Sequence, residues 1–133
     1  MLKLQGMLRA PTETSPSPTL LLLIEADLSA RSRHEKALQA AGYVVLACGA
    51  CPDEDELHLA AVVLSDIASF HWLQEQTARR LPPTIVVTDD EKAGVTACLC
   101  GAAAWVPTDS DDAYLVDTLD GLLPQRHPVT RPA

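Results

Sequence analysis

Residues 61–66 read AVVLSD, an apolar run with two β-branched residues that ends on a carboxylate. Such a short run, bounded by polar and turn-forming residues, is the pattern of a strand covered on both faces. Two further runs end the same way. LLLLI at residues 20–24 is followed by Glu25, and TIVV at residues 84–87 by Thr88. In an open parallel sheet, ligands gather outside the carboxyl ends of the strands, where the winding reverses. A Glu, an Asp and a Thr delivered to that edge make it the candidate functional site.

The rest of the body alternates between strand-like and helix-like stretches. Strands are predicted at 20–26, 43–48, 60–65, 84–88 and 103–107. Helices are predicted from Asp27 or Ser29 to 41, then at 53–59, 70–80, 91–100 and 111–123. Asp27 or Ser29 suits an N-cap, and Gly42 and Gly101 suit the positions just past helix ends. Pro82 and Pro83 stop the third helix. Asp111 and Asp112 favour a helix N-terminus, and Leu115, Val116, Leu119 and Leu122 recur at helical spacing. Strict alternation with right-handed crossovers predicts an α/β fold. Its sheet is five-stranded, parallel and doubly wound, in the flavodoxin-like order 2-1-3-4-5. Residues 1–18 and 124–133 are rich in Pro, Ser and Thr or lack any period, so they read as a flexible extension and a tail around a body at 19–123.

Composition narrows the function classes. A chain of 133 residues is one domain with room for a sizeable core. Its formal charge of −8 argues against non-specific binding to nucleic acid or an anionic membrane, both of which need a basic face. No stretch approaches the roughly 20 apolar residues of a membrane span, and the N-terminus lacks the apolar segment of a signal peptide. The four cysteines read as reduced, mostly structural thiols, so the expected compartment is the cytoplasm.

Four strings, LLLIEAD (21–27), AVVLSDI (61–67), TIVVTD (84–89) and GAAAWVPT (101–108), occur in this order. Together they resemble the response-regulator receiver domain. The resemblance implies a role for each residue. Asp66 falls at the phosphoacceptor position and Glu25 at the first acidic position, which orients the metal's water ligands. Thr88 and Trp105 fall at the switch hydroxyl and the switch aromatic. Two expected groups are missing. Ala26 stands where a second carboxylate would bind Mg²⁺, and Thr108 stands where a lysine would neutralise a phosphoryl oxygen. Asp89, where the family prefers a small residue, adds a like charge and bulk to the pocket. The second helix is short, and the span from Asp66 to Thr88 is shorter than the family's norm.

Magnesium demands hard oxygen ligands in near-octahedral geometry, and a methyl group offers none. Phosphoryl transfer depends on positioning and charge neutralisation, so the missing carboxylate and cation remove what the chemistry needs. The resulting expectation is a non-enzymatic pseudo-receiver with no cofactor, acting through a protein partner that has a basic surface. The acidic residues Asp109, Asp111, Asp112, Asp117 and Asp120 near the last helix favour such a partner. Two other readings stay open. One is a receiver phosphorylated on Asp66 with Mg²⁺. The other is a thiol-disulfide module using Cys48 and Cys51, spaced C-x-x-C after a strand. Zinc shared with Cys98 and Cys100 is disfavoured, because the predicted strand order puts the two pairs on opposite sides of the sheet. His34 occupies an apolar position of the first helix and reads as a partly buried, hydrogen-bonded imidazole. Trp72 reads as a core or partner anchor, and Trp105 as a half-buried aromatic packed on the last helices.

Overall fold

The strands form where apolar side chains alternate between two faces, each face covered by helices. The computed structural model describes residues 19–50, 52–76 and 81–123. The expected extension 1–18, the tail 124–133 and Cys51 lie outside the described residues. In chain order the elements are β1 (Leu20–Ile24), α1 (Leu28–Ala40), β2 (Val44–Cys48), α2 (Glu54–Leu59), β3 (Val62–Ser65), α3 (Ile67–Gln76), β4 (Thr84–Val87), α4 (Glu91–Leu99), β5 (Ala104–Val106) and α5 (Asp112–Leu122). The sheet has five parallel strands in the order β2-β1-β3-β4-β5. This is the predicted 2-1-3-4-5 arrangement.

The pleat sorts β1 by parity. Leu21 and Leu23 pack with Val62 and Leu64 of β3 against Leu38 of α1 and Leu115 and Leu119 of α5. Leu22 and Ile24 face the other way, with Val63, toward Leu57 of α2 and Leu73 of α3. A third cluster, Phe70, Val86, Ala97 and Ala102 with Trp105 against it, seats α4 on the sheet. Register places Ile24 between Cys48 and Ser65, so the carboxyl ends of three strands are level at one edge. Both expected glycine stops are present. Gly42 and Gly101 have φ of 98° and 116°, a region that costs other residues strain. The amides of Tyr43 and Ala102 reach back to Leu38 O and Ala97 O, closing each helix end.

Helix and strand ends differ from expectation by a few residues, and one difference matters. The third helix begins at Ile67, not at residue 70, because Asp66 itself starts it. Asp66 Oδ1 accepts from Ser69 N at 2.8 Å and its carbonyl accepts from Phe70 N at 3.0 Å. The first strand ends at Ile24, two residues early, because Asp27 caps α1 and the chain must turn before it. Asp53, Asp90 and Asp111 cap α2, α4 and α5 likewise, and Asp53 completes a capping box with Glu56. Residues 77–80, where the third helix was expected to end, lie outside the described residues. Cys48 ends the edge strand β2 while Cys98 and Cys100 follow β4, so Cys48 and the Cys98/Cys100 pair are on opposite flanks of the sheet. No helix among the described residues is long and apolar enough to cross a membrane.

Candidate functional site

Alignment of the strand ends brings the predicted residues to one edge, but in two separately held halves. The first half is Glu25, Ala26 and Asp66. Glu25 is 7% exposed; its amide donates to Cys48 O at 3.0 Å, and its Oε2 accepts from Asp27 N at 3.3 Å. Asp66 is half-buried, and backbone donors from two sides hold its carboxylate. Oδ2 accepts from Ala26 N at 3.0 Å and Oδ1 from Ser69 N at 2.8 Å, while its own amide donates to Ile24 O at 3.1 Å. Burial pushes the Glu25 carboxyl above its ordinary range; the Asp27 amide opposes this, the charges of Asp66 and Asp27 add to it, and Arg31 opposes it.

The second half is Thr88, Asp89 and Thr108. Thr88 Oγ1 accepts from Asp90 N at 3.2 Å, an ordinary turn bond before the α4 cap. Asp89 is exposed, and its Oδ1 accepts from Thr108 N at 3.1 Å. The bulk expected to crowd the pocket is therefore tied to the β5–α5 loop. Thr108 O accepts from Arg33 and lies 3.1 Å from His34 Nε2. The Thr108 peptide is pinned at both ends, by Asp89 on its amide and by α1 on its carbonyl.

Three contributors escaped the sequence reading. Arg31 Nη1 donates to Glu25 O at 2.9 Å, and a Cβ on Gly49 would lie 2.6 Å from that nitrogen. Arg33 joins His34 on Thr108. The signal was present: α1 side chains tilt toward the helix N-terminus, which places early residues over the carboxyl edge. Gly94 is the third. Trp105 lies against α4, and a Cβ on Gly94 would stand 2.3 Å from its ring. A glycine inside a helix was the clue. Cys48 sits at the end of β2, and its expected partner Cys51 falls outside the described residues.

His34 goes further than its partly buried reading. It is 2% exposed, and Nδ1 has no partner among the described residues. Because Nε2 faces a carbonyl, it carries the proton in the neutral ring. Burial holds the imidazole below its ordinary range; the Thr108 carbonyl opposes this, Arg33 adds to it, and Asp112 opposes it. The unfolded chain takes up this proton first as the pH falls below about 6.5. His34's contribution to stability is thus complete above that value and shrinks on acidification, by at most about 1.4 kcal/mol per pH unit. Glu25 has the opposite sign: its folded carboxyl binds a proton more readily than in the unfolded chain, so acidification relieves its cost. Between pH 7.5 and 5.5 the urea midpoint of the natural chain is expected to drop relative to that of His34→Gln, which keeps a donor for Thr108 and lacks the titrating ring. Glu25→Gln should raise the midpoint at pH 7.5.

No protein-family model matches the sequence, and no curated protein matches it. Solved structures do. Full-length FixJ from B. japonicum superposes with a TM-score of 0.66 at 17% identity over 87% of this chain, which spans 63% of FixJ. A response regulator receiver protein from Burkholderia phymatum gives 0.63 at 20% identity, covering 80% of this chain and 95% of that one. A putative response regulator from Chloroflexus aurantiacus gives 0.66 at 18% identity, covering 81% and 99%. At these identities the likeness establishes a shared fold, and the chemistry has to be argued from this chain's residues.

Proposed function

We propose that this chain is a pseudo-receiver, a non-enzymatic signalling module that binds a protein partner without being phosphorylated. The observation that carries the reading is what surrounds Asp66: backbone N–H groups, with a methyl group at Ala26 and a hydroxyl at Thr108 where a metal ligand and a cation would stand. Both Asp66 carboxylate oxygens accept backbone N–H groups, one from Ala26 at 3.0 Å and one from Ser69 at 2.8 Å. The first comes from the residue whose side chain would have to be a carboxylate for magnesium to bind. In that environment Asp66 is a helix cap and a strap between β1 and α3. Likeness to receiver folds supports a two-component origin, and the shared fold makes protein–protein interaction the default mode of action.

The residues do not fit magnesium. Ala26 offers a methyl group, Asp27 Oδ1 caps α1 through Ser29 N, and Glu25 is buried with its Oε2 accepting from Asp27 N. No group of three or more His, Cys, Asp or Glu side chains converges among the described residues. On the far side, Thr108 supplies no cation, and Arg33 is held on a carbonyl.

The test is exposure of the natural chain to acetyl phosphate with millimolar Mg²⁺. Transfer would form an Asp66 Oδ–P bond and release acetate. The expected result is no acid-labile phosphate by intact mass and no amide shifts with beryllofluoride. Stoichiometric modification of Asp66 would replace this reading with that of a phosphate-dependent receiver.

A further inference from the structure

The edge beside Asp66 holds a pocket that the phosphate question does not use. Ile24, Ala50, Pro52, Ala68, Trp72 and Leu73 line a space of about 170 Å³, with Gly49, Ala50 and Pro52 on one side and the first turns of α3 on the other. A cavity of about 150 Å³ holds one benzene ring, so this one accepts a single aromatic or branched aliphatic side chain. Its floor is closed by Ile24 and Leu73, each 1% exposed, while Trp72 on its wall is 37% exposed. The rim is acidic. Asp66 borders it through bonds to Ile24 O and Ser69 N. Pro52 runs directly into the acidic start of α2, where Asp53 and Glu56 are engaged in the capping box and Asp55 is exposed, and the exposed Glu75 lies one turn beyond Trp72 on α3. Arg31 reaches Gly49 from the other face of the sheet and offsets part of that charge.

We propose that this pocket docks a basic segment of a protein partner. One apolar side chain enters the pocket, and flanking Arg or Lys residues lie on the carboxylates and across the Trp72 indole. Charge complementarity selects this occupant. A second copy of the chain would bring its own charge of −8 to an acidic rim, and a neutral small molecule would leave the rim unused. The proposal rests on the protein-binding reading above and names the surface it uses.

The experiment titrates the full ¹⁵N-labelled chain with Ac-Arg-Leu-Arg-NH₂, and with Ac-Glu-Leu-Glu-NH₂ and Ac-Arg-Gly-Arg-NH₂ as controls. The expected result is saturable shifts of the Trp72 indole N–H and the Ala50 and Ala68 amides, with both controls at least tenfold weaker. Trp72→Ala should weaken binding at least tenfold. The double variant Asp55→Lys/Glu75→Lys, which changes exposed side chains only, should do the same while keeping the native circular dichroism. Equal response to the three peptides, shifts mapping to α4, β5 and α5, saturation by the neutral probe benzyl alcohol with no gain from flanking arginines, or dimerisation in place of peptide binding would each overturn the docking site. The same samples are treated with acetyl phosphate. A failed titration with an unmodified Asp66 overturns the pocket alone, and the protein-binding reading stands. A phosphorylated Asp66 overturns the parent reading, and the docking site with it.

Discussion

The triple variant Ala26→Asp/Asp89→Ala/Thr108→Lys is expected to accept phosphate on Asp66 from acetyl phosphate at least a thousandfold faster than the natural chain. Each restored partner stabilises charge that develops only during transfer, and one such group is commonly worth about 2.7–4 kcal/mol, or a factor of about 10²–10³. Groups acting on one phosphoryl unit are coupled, so the product of the two factors is an upper limit. The structure favours the experiment. What anchors this edge is mostly main chain: Ala26 N to Asp66, and Thr108 O to Arg33 and His34. Substituting the side chains at 26 and 108 leaves those anchors in place. Asp89→Ala removes the bond to Thr108 N and frees the loop to present the new lysine. Acid-labile phosphate followed over time by intact mass reads the rate. A silent triple variant would mean that the backbone bonds on Asp66, and not the missing charges, block the chemistry.

Gly94→Ala is expected to lower the unfolding temperature by about 4 °C, a loss of about 1 kcal/mol in a domain of this size. Two effects oppose each other. Alanine in a helix interior is favoured over glycine by about 1 kcal/mol. Against that, its Cβ would stand 2.3, 2.6 and 2.6 Å from three atoms of the Trp105 ring. Overpacking of this kind costs about 1–3 kcal/mol, and an indole pinned between β5 and α4 has little room to shift, so the clash prevails. The decisive measurement is a double-mutant cycle. In a Trp105→Ala background the clash is gone, and Gly94→Ala should become stabilising by about 1 kcal/mol in urea unfolding. Destabilisation of equal size in both backgrounds would show that Gly94 is needed for some reason other than Trp105.

That contact bears on the switch reading. Sequence placed Trp105 where a receiver's mobile aromatic stands, and the structure seats it on a glycine of α4 with Phe70, Val86, Ala97 and Ala102 around it. Thr88, its would-be partner in switching, uses its hydroxyl in a turn with Asp90. Together with the Thr108 backbone bonded on both its amide and its carbonyl, these contacts give every switch position a partner at this edge.

What was legible in the sequence is what local physics decides. Strand runs such as AVVLSD and TIVV, caps such as Asp27, Asp53 and Asp111, and glycine stops at 42 and 101 act over three or four residues, so they read directly from the chain and yield element order, strand order and the strand ends that carry Glu25, Asp66 and Thr88. The absence of a carboxylate at 26 and of a cation at 108 was legible for the same reason: a side chain that is not encoded cannot be supplied by folding. Tertiary structure alone decided where the remaining polar groups point. Asp66 to Ala26, Asp89 to Thr108 and His34 to Thr108 join residues 40, 19 and 74 positions apart. Their geometry depends on how strand ends align and how α1 leans over the edge, not on any local pattern. The fit of Trp105 on Gly94 and the pocket beneath Trp72 arise likewise from packing between elements, where small shifts in close-packed surfaces decide whether a contact exists.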